Sequence, residues 1–439
     1  MTLPQRPPLL SALLRTTAPE TLAALMGRGP LVDGVYLHWD DLRWRTPPDG
    51  LTREQWWLAL RLARQDARRL PLLDRAGRAF SFTLPDPLLE ALARIDREGG
   101  RHAPAPREIA DATTRDRHLQ SSLMEEAITS SLLEGAATTR AEAKEMIRTD
   151  RPPRTNGERM VYGNYQAMEW VRAHVVADLT PDLVLGLHRV VMESSTPRVA
   201  GRFRGAGTDI RVVNHQTGAV LHTPPDASEL PARMEVMCAF ANASASDLPF
   251  VHPVVRAVAL HFWLGYDHPF ENGNGRTARA LFYWSMLRQG YDLFGFVSIS
   301  ALLRKAPARY ARSFQLTQTD DLDLTYFLIE QTRVMGRALD SLGAYLVRKR
   351  DELRETLRAV GAGTNLNHRQ LALVTHALQN PSAVYTIESH RISHRVTNGT
   401  ARTDLLGLES HELLDHRKVG KKFVFTPAPD LATRLRTLE

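Results

Sequence analysis

One cysteine, Cys238, stands in a chain of 439 residues, so no disulfide can close within it. A zinc site built from cysteines is excluded for the same reason. Such sparing use of thiols fits a reducing cytoplasm. No apolar run approaches the roughly 20 residues that cross a bilayer, so no membrane partner is expected. Met1 to Arg15 carries Pro and Arg but no sustained apolar core, and a secretory signal is not expected. Acidic residues are outnumbered: 49 Asp and Glu stand against 56 Lys and Arg, giving a net charge of +7. That balance suits an anionic partner: a nucleotide, a nucleic acid or an acidic protein. An arginine-rich coding bias would give the same number.

The length suggests two or three domains. Residues 1–105 read as a small N-terminal module, punctuated by Pro7-Pro8, Pro47-Pro48 and Gly99-Gly100. Thr52 is placed to cap a helix reaching Arg69, and Gly77 to Thr83 alternates like a hairpin strand. Trp39, Trp44, Trp56 and Trp57 form either a binding surface or, more simply, this module's core. Residues 106–345 read as mainly α, with segments near 115–134, 138–149, 156–176, 181–194, 228–243, 253–266, 276–289, 300–317 and 322–347. Ile210 to Leu221, turning at Gln216-Thr217-Gly218, reads as a β-hairpin inside that helical domain. Residues 365–427 give helix, short strand, two helices and a basic hairpin around Arg417-Lys418-Val419-Gly420-Lys421-Lys422, the order of a winged helix. Such a unit could place the helix Thr400–Leu408, with Arg402 and nearby Arg395, in a DNA groove, its wing on phosphates. It could equally serve protein contact or a homodimer. One arginine with Asp404 beside it is thin for DNA.

The densest chemistry lies in His268-Pro269-Phe270-Glu271-Asn272-Gly273-Asn274-Gly275-Arg276-Thr277-Ala278-Arg279. Gly273 and Gly275 permit positive φ and close approach of a ligand to the backbone. A helix follows from Arg276 and ends at Gly290. A glycine turn opening a helix offers free N–H groups to an anion. Arg276 and Arg279, three apart, share one face of the first turn, where two cations oppose the macrodipole. A polyphosphate between them would resolve that conflict, with His268 beside it as a proton acceptor. His252 and His261 lack such neighbours and read as structural.

This stretch resembles the motif of the Fic family, His-x-Phe-x-Asp/Glu-Gly-Asn-Gly-Arg-x-x-Arg. His268, Phe270, Gly273, Asn274, Gly275, Arg276 and Arg279 match it. The resemblance implies a Fic-type helical core with a β-hairpin flap, residues 106–345, flanked by an N-terminal module and a C-terminal winged-helix domain. It implies transfer of AMP from ATP, or of another NTP's nucleotide, to a Tyr, Thr or Ser hydroxyl of a protein. His268 would be the base. Gly273, Asn274 and Gly275 would hold the α-phosphate, and Arg276 and Arg279 the β- and γ-phosphates. The flap, residues 210–221, would pair with an extended target segment. The family's acidic ligand for Mg2+ is replaced here by Asn272, which should hold the metal weakly.

Ser130-Ser131-Leu132-Leu133-Glu134-Gly135 resembles a second Fic signature, Ser/Thr-x-x-x-Glu-Gly/Asn, on a helix at about 115–135. Ser130, Glu134 and Gly135 match it. The resemblance implies that Glu134 occupies Arg279, so that ATP binds unproductively. Two rival readings remain at this stage: removal of AMP by the same site, with Glu134 positioning water, and a nucleotide-sensing module that gates a DNA-binding winged helix.

Overall fold

The computed structural model describes residues 3–48, 50–100, 112–205, 207, 210–213, 218–243, 249–363, 366–381, 383–394, 396–419 and 422–436. It is mainly α, with a few short strands. The chain forms two compact units, Met1–Ala103 with Ser122–Leu339, and Pro104–Ser121 with Asp340–Glu439.

In the first unit the N-terminal residues pack into the helical core. Thr52 accepts from Gln55 N at 3.1 Å while the Gln55 side chain accepts from Thr52 N at 2.9 Å, a reciprocal cap that starts the helix Arg53–Ala63. That helix stops short of the expected Arg69, because Arg68–Leu73 turns into strand β1, paired with β2, Ala79–Phe82. Trp39, Trp56 and Trp57 are core; Trp44 is exposed. Arg64 is buried and donates to Pro30 O, Leu37 O and the Tyr326 hydroxyl at 2.9–3.2 Å. Beyond β2, Leu324 N donates to Ser81 O at 2.8 Å.

Two helices carry the core, Pro253–Asp267 and Asn274–Arg288. Every residue from Val254 to Leu264 is buried, so this helix is apolar almost all round, as a central helix must be. Around the pair lie Asn156–Ala173, Pro181–Glu193 and Leu230–Asn242. The expected helix at 300–317 is two helices, Ile299–Leu303 and Pro307–Thr319. Pro307 has no N–H to continue a helix but suits its first turn. The segment expected at 322–347 runs Thr325–Gly363. Strands β3, Val212–Val213, and β4, Val220–His222, form the antiparallel hairpin, with Val212 opposite His222. Gln216 and Thr217 of its turn lie outside the described residues.

The second unit holds the helices His368–Gln379, Ile387–His394 and Asn398–Ser410, with β5 (Tyr385–Thr386), β6 (Leu414–Val419) and β7 (Lys422–Pro427) in the order β5-β7-β6. Val374, Leu405, Leu408, Leu413 and Phe425 form its core. The helix expected at Thr400–Leu408 starts two residues earlier, at Asn398, because the Thr397 side chain accepts from Thr400 N. Asp404 faces inward. Its carboxylate accepts from Arg369 Nε at 2.7 Å, Asn367 Nδ2 at 2.8 Å and His390 Nε2 at 3.1 Å. Arg395, Gly420 and Lys421 lie outside the described residues. Among the described residues no helix is long and apolar enough to cross a membrane.

Candidate functional site

The site lies where the two central helices meet. Helix Pro253–Asp267 ends on His268, whose backbone is left-handed at φ 45°. That region disfavours any residue with a Cβ, so the surroundings must hold it. Arg204 does so. It donates through Nε to His268 O and through its backbone N to Pro269 O, both at 2.9 Å. Phe270 is fully buried and stacks on the His188 ring at 3.6 Å, nearly parallel. Gly201 N donates to His188 Nδ1 at 3.1 Å, which leaves the proton on Nε2 to donate to Asn272 O at 2.9 Å. The loop is thus fixed through its backbone oxygens by two side chains, Arg204 and His188, that the motif does not contain.

The next helix, Asn274–Arg288, starts from Gly273 at φ 81°. The two glycines act differently. Gly273 has the positive φ expected of it, and a Cβ there would also meet Met192 Sδ at 2.6 Å. Gly275 is helical, not left-handed. A Cβ on it would sit 2.1 Å from Glu134 Oε1 and 3.0 Å from Arg279 Nη1, so its value is space for an anion. Asn274 also departs from expectation. Its Oδ1 accepts from Phe270 N at 3.0 Å and its Nδ2 donates to Phe270 O at 2.8 Å. The side chain braces the loop, and only its backbone N–H remains for a phosphate.

Both motif arginines are buried. Arg276 reaches Val191 O at 3.3 Å and Met192 Sδ at 3.0 Å. Arg279 donates through Nε to Ser130 Oγ at 2.9 Å and through Nη2 to Ser130 O and Glu134 Oε1, each at 3.0 Å. Arg276 Nε and Arg279 Nη1 are buried without hydrogen-bond partners among the described residues. Burial pulls the Arg276 guanidinium down to about 10, although Glu134 opposes the shift. Burial also pulls on Arg279, but Glu134, Tyr310 and Glu126 together raise it above the usual value. Arg276, a buried cation short of negative charge, and the unused Nη1 donor of Arg279 are what a polyphosphate would satisfy.

Glu134 follows the last turn of the helix Ala112–Leu133. Gly135 (φ 85°) donates to Leu132 O and Ala136 to Ser131 O, a Schellman closure. Its carboxylate therefore lies over the first turn of the motif helix, where the dipole favours negative charge. The Glu134 helix is pinned further up. The buried Glu126 carboxylate accepts from Tyr283 OH at 2.9 Å, Ser298 Oγ at 2.7 Å, Ser300 N at 3.1 Å and Ser300 Oγ.

A cavity of about 250 Å³ joins these parts, lined among others by Glu134, His268, Gly275, Tyr310 and the flap residues Val212 and Leu221. Burial, with the His222 ring adding to it, holds the His268 imidazole down to about 4, so it is neutral at pH 7. Ser130, Glu134, His268, Gly275 and Arg279 thus come together as the sequence led one to expect. Asn272 does not join them in the same way: it is exposed, and its backbone oxygen, not its amide, has the assigned partner. Glu271 stands apart, 3.9 Å from Arg198. His261 is buried against Tyr310 OH at 2.7 Å, the structural place expected of it.

Burial also depresses His38 and His188 to about 4 and His261 to about 3. These folded values lie below the unfolded value of ~6.5. The unfolded chain therefore takes up protons first, and stability is full above that value and lost as pH falls from it toward about 4. Each such histidine costs up to about 1.4 kcal/mol per pH unit in that window. The urea midpoint should drop clearly between pH 7.5 and pH 5. Equal midpoints would show that these rings are not neutral in the fold.

Residues 178–286 match the Fic/DOC family. The protein adenylyltransferase Fic of Nematostella vectensis is 33% identical over 135 residues, 30% of this chain and 29% of that one. The protein of the same description from Drosophila melanogaster is 32% identical over 133 residues, 30% of this chain and 25% of its own. The match thus spans less than a third of these curated relatives. A crystal structure of a Fic family protein from Desulfovibrio desulfuricans shares the fold with a TM-score of 0.53 and 16% identity, covering 80% of this chain and 98% of that one. Residues 178–286, which hold the loop and most of the glycine-opened helix, are a Fic/DOC family domain.

Proposed function

We propose that the chain transfers AMP from ATP to a Tyr, Thr or Ser hydroxyl of a protein, and that Glu134 restrains it. The observation that carries this reading is the Glu134 carboxylate held over Gly275 and bonded to Arg279, at the mouth of a cavity containing His268. The protein's own carboxylate takes the place that the structure reserves for an anion. The adenylyltransferase relatives support the same chemistry.

In that reaction the hydroxyl oxygen bonds to the α-phosphorus, the bond from that phosphorus to the bridging oxygen breaks, and pyrophosphate leaves. The hydroxyl proton passes to His268, which burial keeps ready as the neutral base. The N–H groups after Gly273 stabilise charge developing on the α-phosphate. Arg276 and Arg279 orient the departing phosphates. Ser130 holds Arg279 in place, and the flap takes the target as an added strand.

Among the described residues no group of three His, Cys, Asp or Glu side chains is arranged for a metal. The residues fit a cation that arrives on the triphosphate, with the exposed Asn272 amide as one neutral protein donor. Mg2+ bound there would neutralise phosphate charge. A carboxylate would be a stronger hard ligand. Asn272→Asp should therefore lower the Mg2+ concentration giving half-maximal transfer. An unchanged titration would leave Asn272 only its place in the turn, and no transfer by either form at any Mg2+ concentration would favour a nucleotide sensor.

We further assign residues 1–105, 106–345 and 365–427 as functional modules, the last as a winged helix contacting a protein or DNA. A buried single thiol and a nucleotide substrate fit a cytoplasmic setting. The test of the main reading is intact mass: wild type and Glu134→Gly, each with every NTP and Mg2+. A gain of one AMP, larger for the variant, is expected. No added mass with any NTP would sink it.

A further inference from the structure

A second cavity, of about 230 Å³, lies against the first. It is lined by Leu3, Pro4, Arg6 and Arg78, and shares Leu221, Tyr266, Gln315 and Gln318 with the cavity that contains His268. A groove therefore runs from His268 past flap strand β4 to the N-terminal arm. The arm is a built wall. Gln5 N donates to Asp40 Oδ1 at 3.0 Å, and Arg312 holds Asp40 at 3.0 Å. Pro4 is buried.

The rim of this second cavity is cationic. Arg6 and Arg78 line it and are exposed, and Arg75, also exposed, follows the lining residue Asp74 in the chain. The one acid in the wall, Asp74, is already saturated. Its Oδ1 accepts from Ala76 N and Arg78 N, and its Oδ2 from Arg78 Nε, all at 2.8–2.9 Å. Arg6 and Arg75 have no carboxylate in a salt bridge among the described residues. An extended chain laid along β4 carries alternate side chains to one face. One of them would enter the shared cavity, and a neighbour on the same face would meet Arg6 and Arg75.

Resting on the reading of the first cavity as the site of transfer, we infer that the second cavity is a selectivity subsite for a glutamate or aspartate of the target. The acidic residue lies on the same strand as the modified hydroxyl. The chain's positive charge is thereby put to use at one place, by attraction that exposed arginines give weakly singly and better in company.

The test uses the full chain and does not depend on catalysis. The probes are a fluorescein-labelled decapeptide with a central Thr-Val-Thr flanked by glutamates, and its glutamine analogue. Their binding is followed by anisotropy at low and high salt. The glutamate peptide should bind about three- to tenfold tighter at low salt, and the difference should shrink with salt. It should vanish in the double variant Arg6→Ala, Arg75→Ala, whose affinity for ATP should match that of the unsubstituted chain. Equal affinity for the two peptides, no binding of either, or a preference that survives the double variant would overturn the subsite. Glutamate-selective binding without self-modification by Glu134→Gly would keep the subsite and remove the transferase reading instead.

Discussion

Replacing His268 by Ala should cut AMP transfer by about 10²–10⁴-fold, the usual contribution of a positioned base. ATP binding should be nearly unchanged. The expectation rests on how the loop is held. Its shape comes from Arg204 on the His268 and Pro269 oxygens, from Asn274 on Phe270, and from His188 on Asn272. None of these bonds uses the imidazole of His268. The left-handed backbone at that position is no easier for Ala, so the variant should fold with the same strain and the same glycine turn. The phosphate donors, on the next helix, are untouched. Transfer rates in a Glu134→Gly background, with calorimetry of ATP binding, separate the two effects. Retained transfer would remove His268 from the mechanism, whereas lost binding would make it a structural residue.

Glu134→Gly should raise transfer by about tenfold or more. Glu134 makes one charge-assisted bond to Arg279 at 3.0 Å, and a hydrogen bond to a charged group is worth about 1.5–3 kcal/mol. Each 1.4 kcal/mol corresponds to a factor of about ten. Ser130 keeps two bonds to Arg279 in the variant, so the guanidinium should stay in place with one donor set free. Position 134 lies outside the matched family segment, residues 178–286, so the restraint comes from a separate stretch of chain. Initial rates on any accepted substrate, wild type against variant, measure the effect. Equal rates would show that the pair in the structure is a static ion pair and not a brake.

The parts of the site that could be read from sequence were those carried by spacing. A glycine turn opening a helix, two arginines three apart and a glutamate before a helix-ending glycine each impose local geometry, and each is where it was expected. The expected partner of Arg279 is also the observed one. What could not be read were bonds to backbone oxygens. Arg204 and His188 act on carbonyls far along the chain, and no side-chain pattern announces them. The bonds of the Asn274 side chain are of the same kind, since its partners are the Phe270 N–H and C=O. Of the two properties expected of Gly275, positive φ and close approach, only the second holds, and it is Glu134 that approaches. Within residues 106–345 helix periodicity locates the helices, apart from the split at Pro307, whose missing N–H is plain in the sequence; in residues 1–105 it does not find Asp86–Gly99.

The Glu126 carboxylate, with four donors around it eight residues before Glu134, has a consequence for timing. It nails the helix that precedes Glu134, so that helix cannot swing away without leaving a buried carboxyl group and its donors unpaired. What can move is the Glu134 side chain, about a third exposed. Side-chain rotation takes picoseconds to nanoseconds, against microseconds to milliseconds for a helix or domain shift. A nucleotide competing with Glu134 would therefore meet a latch that reopens faster than any ligand arrives. Its occupancy would follow the nucleotide concentration with no lag, and the site would keep no memory of its last encounter.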